Sequence, residues 1–540
     1  MKKLISFIML AASFALSFAD EPRLTIQNAA NAAPENTEIF LALDISKKYL
    51  GDCLSQKGAA EFAAAIIDNP AVQKMLDIAF EDAPEELKDK ISAKTFSELL
   101  KKALKNPEDC FLAMAATDFK EDDCDLKFVI FKHPLIAQKT GEILEQGNGL
   151  EKSQKDGASF FKSEDVAIAI KGALIVLADD ENAAAKAIEN LESPRKDSFA
   201  ATEKFRKLMS LEKDPVVAGL VNCKSSSDGL IDDALFAFSA ENPQKSSGVI
   251  IIERGEKSLK DPNDIKNWDA MLKRSLAKGS LLKNSMANST LAMSVAIPEI
   301  TDEMEDEILS GMDGDPIENK IITSAIKNSG IKSFHLSLGE LDANTILNMG
   351  ETMEAPEAFL KIDAADADEF FKNEKIAFIL DQPLFAPITL DGDTIYALGM
   401  YNLKIAQTSK TAAAVSTIKD IKKFMSLAKG SCNSLAGSED AKKLLARLPE
   451  GNAVELFMDI KALSDFSKAI TSIAHGESGK GNKSFEQNFL DQYQNAVSKM
   501  CKKCLLAAGF KFVPDGIVIT VKSDAEYDYE LGEKLVKEIK

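Results

Sequence analysis

The chain has 540 residues and a formal net charge of −20, from 85 acidic and 65 basic side chains, of which only six are Arg. An acidic, Arg-poor chain binds phosphate poorly, so this composition excludes nucleic acid as the expected partner. The seven cysteines are too few for a disulfide-built scaffold of this size, and their odd number leaves at least one thiol free or paired with another molecule.

The first residues have the three-part pattern of a secretory signal peptide. Lys2 and Lys3 form a positive segment, and the stretch 4–18 is apolar or small. The small residues Ser17 and Ala19 suit the −3 and −1 sites of signal peptidase, which predicts cleavage after Ala19. A membrane anchor is the alternative, but the apolar stretch is short for a bilayer and is followed by Asp20. The mature chain is therefore expected to be soluble and periplasmic or extracellular.

The remaining sequence is predicted to be a tandem duplication. Five collinear matches pair early segments with later ones at offsets of 252, 222, 229, 237 and 268 positions, beginning with the pair Ile39 and Leu291. Loop insertions explain the drift in the offset. The predicted map, after the signal peptide at 1–19, is a linker at 20–33, copy 1 with units 34–211 and 212–285, and copy 2 with units 286–448 and 449–540.

Within the copies, the pattern predicts units of the type strand, helix, strand, strand, helix. In chain order, the clearest elements are a strand at 38–45, helices within 58–105, a hairpin of 110–117 with 125–132, a helix at 134–146, a strand at 453–460, a helix at 485–500, a hairpin of 505–513 with 517–522, and a helix at 527–539. Alternating apolar residues indicate half-buried strands, and the 3.6-residue period indicates helices. The predicted fold class is α+β, with antiparallel sheets covered by helices.

One family resemblance rests on two helices that begin with Ser, at 198–211 and 438–448, and on the strand that follows Leu448-Pro449-Glu450. The strand that follows an alanine-triplet helix adds to it, with the triplets at Ala183–Ala185 and Ala412–Ala414. On these motifs the chain resembles uncharacterised exported bacterial proteins built on a duplicated domain of unknown function. The resemblance covers most of the mature chain and implies no activity.

Cys501 and Cys504 form the motif that most closely resembles a functional one. A redox Cys-x-x-Cys pair has its first thiolate at a helix N-terminus, whereas this pair is predicted to end a helix and begin a strand, where the helix dipole opposes the thiolate. No second pair or nearby His completes a zinc set. A structural disulfide or plain packing is the preferred interpretation.

The three histidines, His133, His335 and His475, are scattered along the chain. His335 alternates with Phe334 and Leu336, so it is predicted to lie off the apolar face of its strand. A surface role is expected for all three rather than a catalytic one.

Several other motifs fail on spacing. The segment His475–Gly481 lacks the first Gly and the final Ser or Thr of a phosphate loop, and is predicted to be a solvent loop. Two Ser-x-x-Lys motifs, Ser275–Lys278 and Ser426–Lys429, are not accompanied by the other motifs of penicillin-binding enzymes in the right order. Acidic clusters at 121–123, 313–318 and 391–393 lack calcium-loop spacing. Asp44 and Asp459 are predicted to cap helices.

The sequence therefore predicts no catalytic, cofactor-binding or metal-binding residues. The expected function is that of a non-enzymatic binding or scaffold protein of the cell envelope, whose partner is an envelope protein or a polysaccharide. The alternative is a secreted or periplasmic hydrolase whose site is assembled from distant loops.

Overall fold

A computed structural model describes residues 24–70, 72–74, 94, 97–98, 101–102, 110–120, 123–146, 150–163, 166–193, 195–300, 304–305, 309, 320, 323–324, 327–373, 377–378, 380–430, 434–478 and 485–539. The predicted signal peptide and the acidic cluster at 313–318 lie outside these residues. No helix within these ranges is both long enough and apolar enough to cross a membrane.

Antiparallel sheet and helices together give the α+β class that the sequence predicts. The strands are β1 Ile39–Ile45, β2 Cys110–Lys120, β3 Asp123–Lys132, β4 Glu151–Lys155, β5 Ala158–Lys162, β6 Ala167–Lys171, β7 Leu174–Ala178, β8 Val217–Asn222, β9 Ile231–Asn242, β10 Lys245–Arg254, β11 Leu291–Ala296, β12 Ile331–Leu338, β13 Ala358–Ala364, β14 Phe385–Leu390, β15 Asp393–Leu398, β16 Leu403–Ser409, β17 Ala412–Ser416, β18 Val454–Asp459, β19 Cys501–Val513 and β20 Gly516–Tyr527.

The α-helices are α1 Ile26–Ala32, α2 Lys47–Leu54, α3 Ala59–Asp68, α4 Pro134–Gln146, α5 Glu181–Glu192, α6 Glu203–Ser210, α7 Glu256–Lys260, α8 Pro262–Leu272, α9 Ser280–Asn284, α10 Ala343–Leu347, α11 Met349–Thr352, α12 Ala367–Lys372, α13 Ile421–Ala428, α14 Glu439–Leu445, α15 Ile460–Ser478, α16 Phe485–Met500 and α17 Tyr529–Glu538. Short 3₁₀ turns are formed by Phe199–Ala201, Met400–Asn402 and Leu435–Gly437.

The chain packs as two compact lobes. Of the described residues, lobe 1 contains those within 24–252, 485–502 and 526–539, and lobe 2 contains those within 253–478 and 503–525. The predicted repeat boundaries differ from this division. They remain a prediction, because packing and repetition need not divide a chain at the same residues.

Lobe 1 is built on a sheet in which the strands pair in the order β4-β5-β6-β7-β3-β2-β1-β8-β9-β10. One face buries Phe40, Ala113 and Ile130 against helix residues such as Leu191 of α5 and Phe205 of α6. The other face packs against α4. A third cluster joins α3, α16 and α17. Covering a sheet with helices in this way removes the apolar face of each element from water.

In lobe 2 the strands pair in the order β14-β15-β16-β17-β13-β12-β11-β18-β19-β20. The core has two parts. One contains Leu281, Leu444 and Phe457, and the other contains Phe359, Ile395 and Phe424. Helices α9, α13 and α14 supply the covering side chains.

The hairpin of β14 and β15 forms the outer edge of the lobe 2 sheet. Among the described strands, β14 pairs with β15 alone, and its four middle residues are exposed. Asp391 and Gly392 close the hairpin with φ angles of 54° and 89°, which is the type I′ geometry of a two-residue loop. Because Leu390 and Asp393 then form a hydrogen-bonded pair, alternation places the backbone nitrogen of Pro387 on the outward side.

Several predicted elements are confirmed. The helices at 134–146 and 485–500 begin and end at the predicted residues, and the hairpin of β2 and β3 has the predicted order. Its register pairs Phe111 with Lys132 and Lys120 with Asp123, which places Cys110 and Cys124 at opposite ends. Asp459 accepts a hydrogen bond from Ala462 N at the start of α15, as expected of a capping residue.

Other predictions are wrong. The linker at 20–33 contains α1, whose buried Ile26 and Ala30 belong to the core of lobe 1. Asp44 lies inside β1, and Ser46 caps α2 instead. Ala183–Ala185 lies in a helix but Ala412–Ala414 lies in a strand, so this one of the five repeat matches pairs unlike elements. The four-strand meanders β4–β7 and β14–β17 were not part of the predicted unit.

Candidate functional site

The tempting Cys501 and Cys504 motif begins strand β19 directly after α16, as predicted. In an extended strand, residues three apart point to opposite faces, and their Cα atoms are separated by about 10 Å. A disulfide needs Cα atoms within about 7 Å. The strand conformation therefore rules out the structural disulfide that was one interpretation of this pair.

The expected surface role is wrong for two histidines. His133 is fully buried, its ring stacks on Phe131, and its Nδ1 accepts a hydrogen bond from Ile136 N, which caps the start of α4. His335 is also fully buried. His475 lies within α15, and its side chain lies outside the described residues. The predicted solvent loop is accordingly helical up to Ser478, where α15 ends.

The remaining motif residues are not brought together into a site. Lys278 forms an exposed ion pair with Glu450, and Lys429 forms a half-buried one with Asp393 at the start of β15. Among the residues that the structure describes, no group of three or more His, Cys, Asp or Glu side chains is arranged to hold a metal ion.

A buried polar row crosses the centre of the lobe 2 sheet. Ser294 of β11 lies directly opposite His335 of β12 on one side and opposite Glu455 of β18 on the other. His335 lies opposite Lys361 of β13. Because directly opposed residues share a face, these side chains form one continuous row, with Ser294 and His335 fully buried.

Hydrogen bonds join the members of this row to one another or to neighbouring polar side chains. The Nδ1 atom of His335 lies 2.7 Å from Ser294 Oγ, and its Nε2 atom lies 3.0 Å from Asp363 Oδ2. Ser333 Oγ also donates to Asp363 Oδ2, at 3.2 Å. Lys361 Nζ donates to Asn284 Oδ1 at 2.9 Å. Burial of these polar groups costs little free energy because each has a partner.

The two carboxylates of the network have pKa values shifted in opposite directions. Burial raises the pKa of Glu455, and the hydrogen bond from Asn452 and the charge of His335 oppose that effect only in part. Burial also acts to raise the pKa of Asp363, but hydrogen bonding to His335 and the charge of Lys361 outweigh it, so this pKa lies below its usual value. The sequence hides this network, because its members are separated by up to 161 positions, from Ser294 to Glu455.

Serine, histidine and aspartate in a hydrogen-bonded chain have the composition of an acyl-transfer triad. The geometry here argues against that chemistry. The Oγ atom of Ser294 belongs to a residue with no exposed surface in the middle of a central strand, so a substrate carbonyl has no path to it. The negative Glu455 beside it would further disfavour a developing oxyanion. The row is therefore a structural network.

An exposed apolar surface lies in the same lobe. Seven of the eleven large apolar side chains that are exposed in the described part of the chain fall within residues 347–400. Leu347 and Met349 lie in α10 and α11, Met353 directly follows α11, and Met400 begins the 3₁₀ turn after β15; we call these four side chains the Met surface. The other three are Phe378, Leu384 and Ile388. A hydrogen bond from Tyr401 N to Met353 O brings the turns that carry Met353 and Met400 together, and exposed apolar side chains that lie close together are typical of interaction sites.

The backbone under the Met surface is unusual. Met353 and Tyr401 have φ angles of 55° and 57°, and elsewhere in the described residues only Gly, Asp and Asn have positive φ. This conformation costs a residue with a large side chain about 1–2 kcal/mol. The N–H of Tyr401 donates to the carbonyl of Met353 at 2.8 Å, which joins the two turns. Lys404 Nζ donates to the carbonyl of Asn402 at 2.9 Å and so braces the second turn.

A carboxylate-rich groove adjoins the Met surface. It has a volume of about 230 Å³ and is lined by Glu340, Asp342, Thr345, Glu354, Ala355, Pro356, Glu357, Thr417 and Lys419. Glu354 follows Met353 in the chain and forms an ion pair of 2.7 Å with Lys419, and Glu357 forms one of 2.7 Å with Lys423. Hydrogen bonds from Thr345 lower the pKa of Asp342, which keeps this carboxylate charged.

Comparison with known proteins does not assign the chain to a family. No protein-family model matches it, and no curated protein matches it. A solved structure titled "Structure of crystal form I of TP0453" is 12% identical, with a TM-score of 0.23, and the match covers 45% of this chain and 84% of that one. A similarity of this size carries no argument about fold or function.

Proposed function

We propose that this chain is an exported, non-enzymatic binding protein of the cell envelope that uses the Met surface to contact a partner. The observation that carries the proposal is the concentration of exposed large apolar side chains within residues 347–400. Burial of such side chains against a partner is favourable, and methionine adapts its shape to different contacts. Strained backbone beneath the surface supports a functional role, because strain persists at binding sites.

Export rests on the signal-peptide pattern of residues 1–19. N-terminal sequencing of the protein recovered from the periplasm or medium should begin at Asp20. A recovered protein that keeps Lys2 and Lys3 would contradict export by this route. The relationship to exported bacterial proteins of unknown function is part of the same proposal.

We also propose that the two lobes contain diverged copies of one domain. Three observations support this: the register of the strands, their order in the two sheets, and the turns of corresponding hairpins. Ile39 lies opposite Ala116 and Val221, and Leu291 lies opposite Leu338 and Met458, so corresponding strands differ by 252, 222 and 237 positions, as the sequence matches do. The order of strands in the two sheets corresponds throughout. Asp156-Gly157 and Asp391-Gly392 close corresponding hairpins with positive φ at both residues.

The copies would then differ in chemistry at their centres. The row of lobe 1 that corresponds by register to the polar row consists of Ala218, Ala42, Ala113 and Ile130, all fully buried. The edge strands differ as well, since β4 has the sequence EKSQK and β14 has the sequence FAPITL. Specialisation of copy 2 for binding is consistent with both differences.

A hydrolase is the second candidate, and the Ser294–His335–Asp363 chain is the observation that favours it. An exposed, reactive serine would be labelled by a fluorophosphonate probe. We expect no labelling of Ser294 in the folded protein, because its side chain is buried. Labelling that is lost in Ser294→Ala would support the hydrolase instead.

The binding proposal is tested by site-specific crosslinking in the native envelope. A photoreactive residue at Met349 should capture a discrete protein, whereas the same residue at Leu259, which is equally exposed in lobe 2, should not. Equal capture from both positions, or capture from neither, would contradict the proposal.

A further inference from the structure

We infer that the Met surface and the adjoining carboxylate groove together receive a basic amphipathic helix of a partner protein. This inference rests on the proposed function and specifies the chemistry of the partner. The observation behind it is that Glu354, one of four carboxylates that line the groove, directly follows the exposed Met353, whose carbonyl is hydrogen-bonded to the turn that carries the exposed Met400.

The apolar part of the site suits a helix face. Amphipathic helices place apolar side chains at positions i, i+3, i+4 and i+7, and they bind grooves that combine apolar contact with charge. The thioether side chains of Met349, Met353 and Met400 are unbranched and flexible, so they can fill the gaps between such apolar side chains. Leu347 extends the surface along α10.

The charged part of the site selects a basic partner. Lys419 and Lys423 pair with Glu354 and Glu357, but Glu340, Asp342 and the neighbouring exposed Glu351 remain as an excess of negative charge. The net charge of the chain, −20, also favours a basic partner. Lys or Arg side chains flanking the apolar face of a helix would be attracted, whereas an anionic lipid surface would be repelled.

The backbone holds this surface in place before binding. The hydrogen bond from Tyr401 N to Met353 O links the turns that carry Met353 and Met400, and Lys404 braces the second turn from below. A preformed site loses less conformational entropy when it binds. Lys404 is buried, and that burial lowers its pKa. Its side chain therefore positions the turn and does not attract the partner.

The probe is a synthetic peptide of about 15 residues, the length at which an isolated helix becomes marginally stable, with Leu at helical spacing and Lys elsewhere. A matched peptide has Glu in place of every Lys. Using the full exported chain and isothermal titration calorimetry, we expect the Lys peptide to bind at least tenfold more tightly than the Glu peptide. Its affinity should fall as salt is raised, because exposed charges are screened.

Two sets of variants separate the two parts of the site. Met349→Gln combined with Met400→Gln should weaken binding at least tenfold at all salt concentrations. Glu340→Gln combined with Glu354→Gln should weaken it mainly at low salt and flatten the salt dependence. Leu259→Gln and Glu299→Gln, at exposed positions outside the site, are the matched controls and should bind as the wild type does.

Three outcomes would overturn the inference: equal binding of the two peptides, no binding of the Lys peptide, or an effect of the control variants as large as that of the site variants. Binding to vesicles of phosphatidylglycerol and phosphatidylethanolamine that is lost with the Met variants would also overturn it, in favour of a lipid surface. If the crosslinking at Met349 succeeds while the Lys peptide fails, the proposed function stands and only the partner chemistry is wrong.

Discussion

The backbone N–H of Tyr401 donates a 2.8 Å hydrogen bond to the carbonyl of Met353, and both residues have left-handed backbone conformations. The two turns are therefore fixed to each other, although 48 positions separate them in the sequence. Neither side chain favours this conformation, so its persistence indicates that the surrounding structure imposes it.

Replacing Met353 by Asn should stabilise the protein, because Asn tolerates positive φ much better than Met does. We expect the free energy of unfolding to rise by about 0.5–1 kcal/mol, a part of the cost of the left-handed conformation. Urea denaturation measures this change. The matched control is Met349→Asn at an exposed helical position, where Asn should not stabilise. A destabilised Met353→Asn would show that the exposed side chain contributes to packing.

Removing the imidazole of His335 should strongly destabilise lobe 2. In His335→Ala, Ser294 and Asp363 lose their partner inside the sheet, and we expect the free energy of unfolding to fall by about 2–4 kcal/mol. Ser294→Ala removes one hydroxyl and should cost less. Chemical denaturation followed by circular dichroism compares the two. A loss below about 1 kcal/mol for His335→Ala would contradict the network as described.

Glu455 should make the protein less stable as the pH rises. Its pKa is raised in the folded state, so its contribution to stability is fully present below the unfolded pKa near 4.5 and is lost as pH rises through the folded pKa. Glu455→Gln should therefore be more stable than the wild type at pH 7, and the difference should shrink toward pH 4. Thermal melts across this range test it, with the exposed Glu299→Gln as control.

Asp363 should have the opposite dependence on pH, because it should make the protein less stable as the pH falls. Its pKa is lowered in the folded state, so its contribution is present above the unfolded pKa near 3.8 and is lost as the pH falls through the lower folded value. Asp363→Asn should be less stable than the wild type at pH 7, and the two should converge below pH 3.8. The same melts measure this. A difference that persists at low pH would assign the effect to packing rather than to charge.

Cys110 should be inert in the folded protein. Burial raises the pKa of its thiol to about 12, and the charge of Asp44 adds to that effect. Because only the thiolate reacts, a maleimide reagent should label Cys110 only after unfolding. Non-reducing peptide mapping should also find no bridge between Cys110 and Cys124, since the hairpin register keeps them apart. Such a bridge would contradict that register.

Strongly periodic segments of the fold were predictable from the sequence. The helices 134–146 and 485–500 and the β2–β3 hairpin combine clear periods with clear end signals. The edge strands β4 and β14 were missed because their patterns are weak: β4 has no apolar residue, and β14 has apolar residues on both faces. A strand that is exposed on both faces has no alternation to detect.

The buried row shows a second way in which the prediction from the sequence is wrong. The alternation of Phe334, His335 and Leu336 correctly separates the two faces of β12, but the covered face is that of His335 and Ser337 rather than that of Phe334. Sequence alternation does not reveal which face a helix will cover. The small residues Ala292 and Ala296 on either side of Ser294 were the available signal, because close approach of a helix favours small side chains.

The outward-facing nitrogen of Pro387 has a consequence for the behaviour of the protein at high concentration. An apolar, uncharged edge strand is a template on which further chains can add and grow into fibrils. A proline at the centre of that edge supplies no amide proton, so an incoming strand is left with an unsatisfied carbonyl midway along its length. The proline therefore makes this apolar edge a poor template for the addition of a second chain.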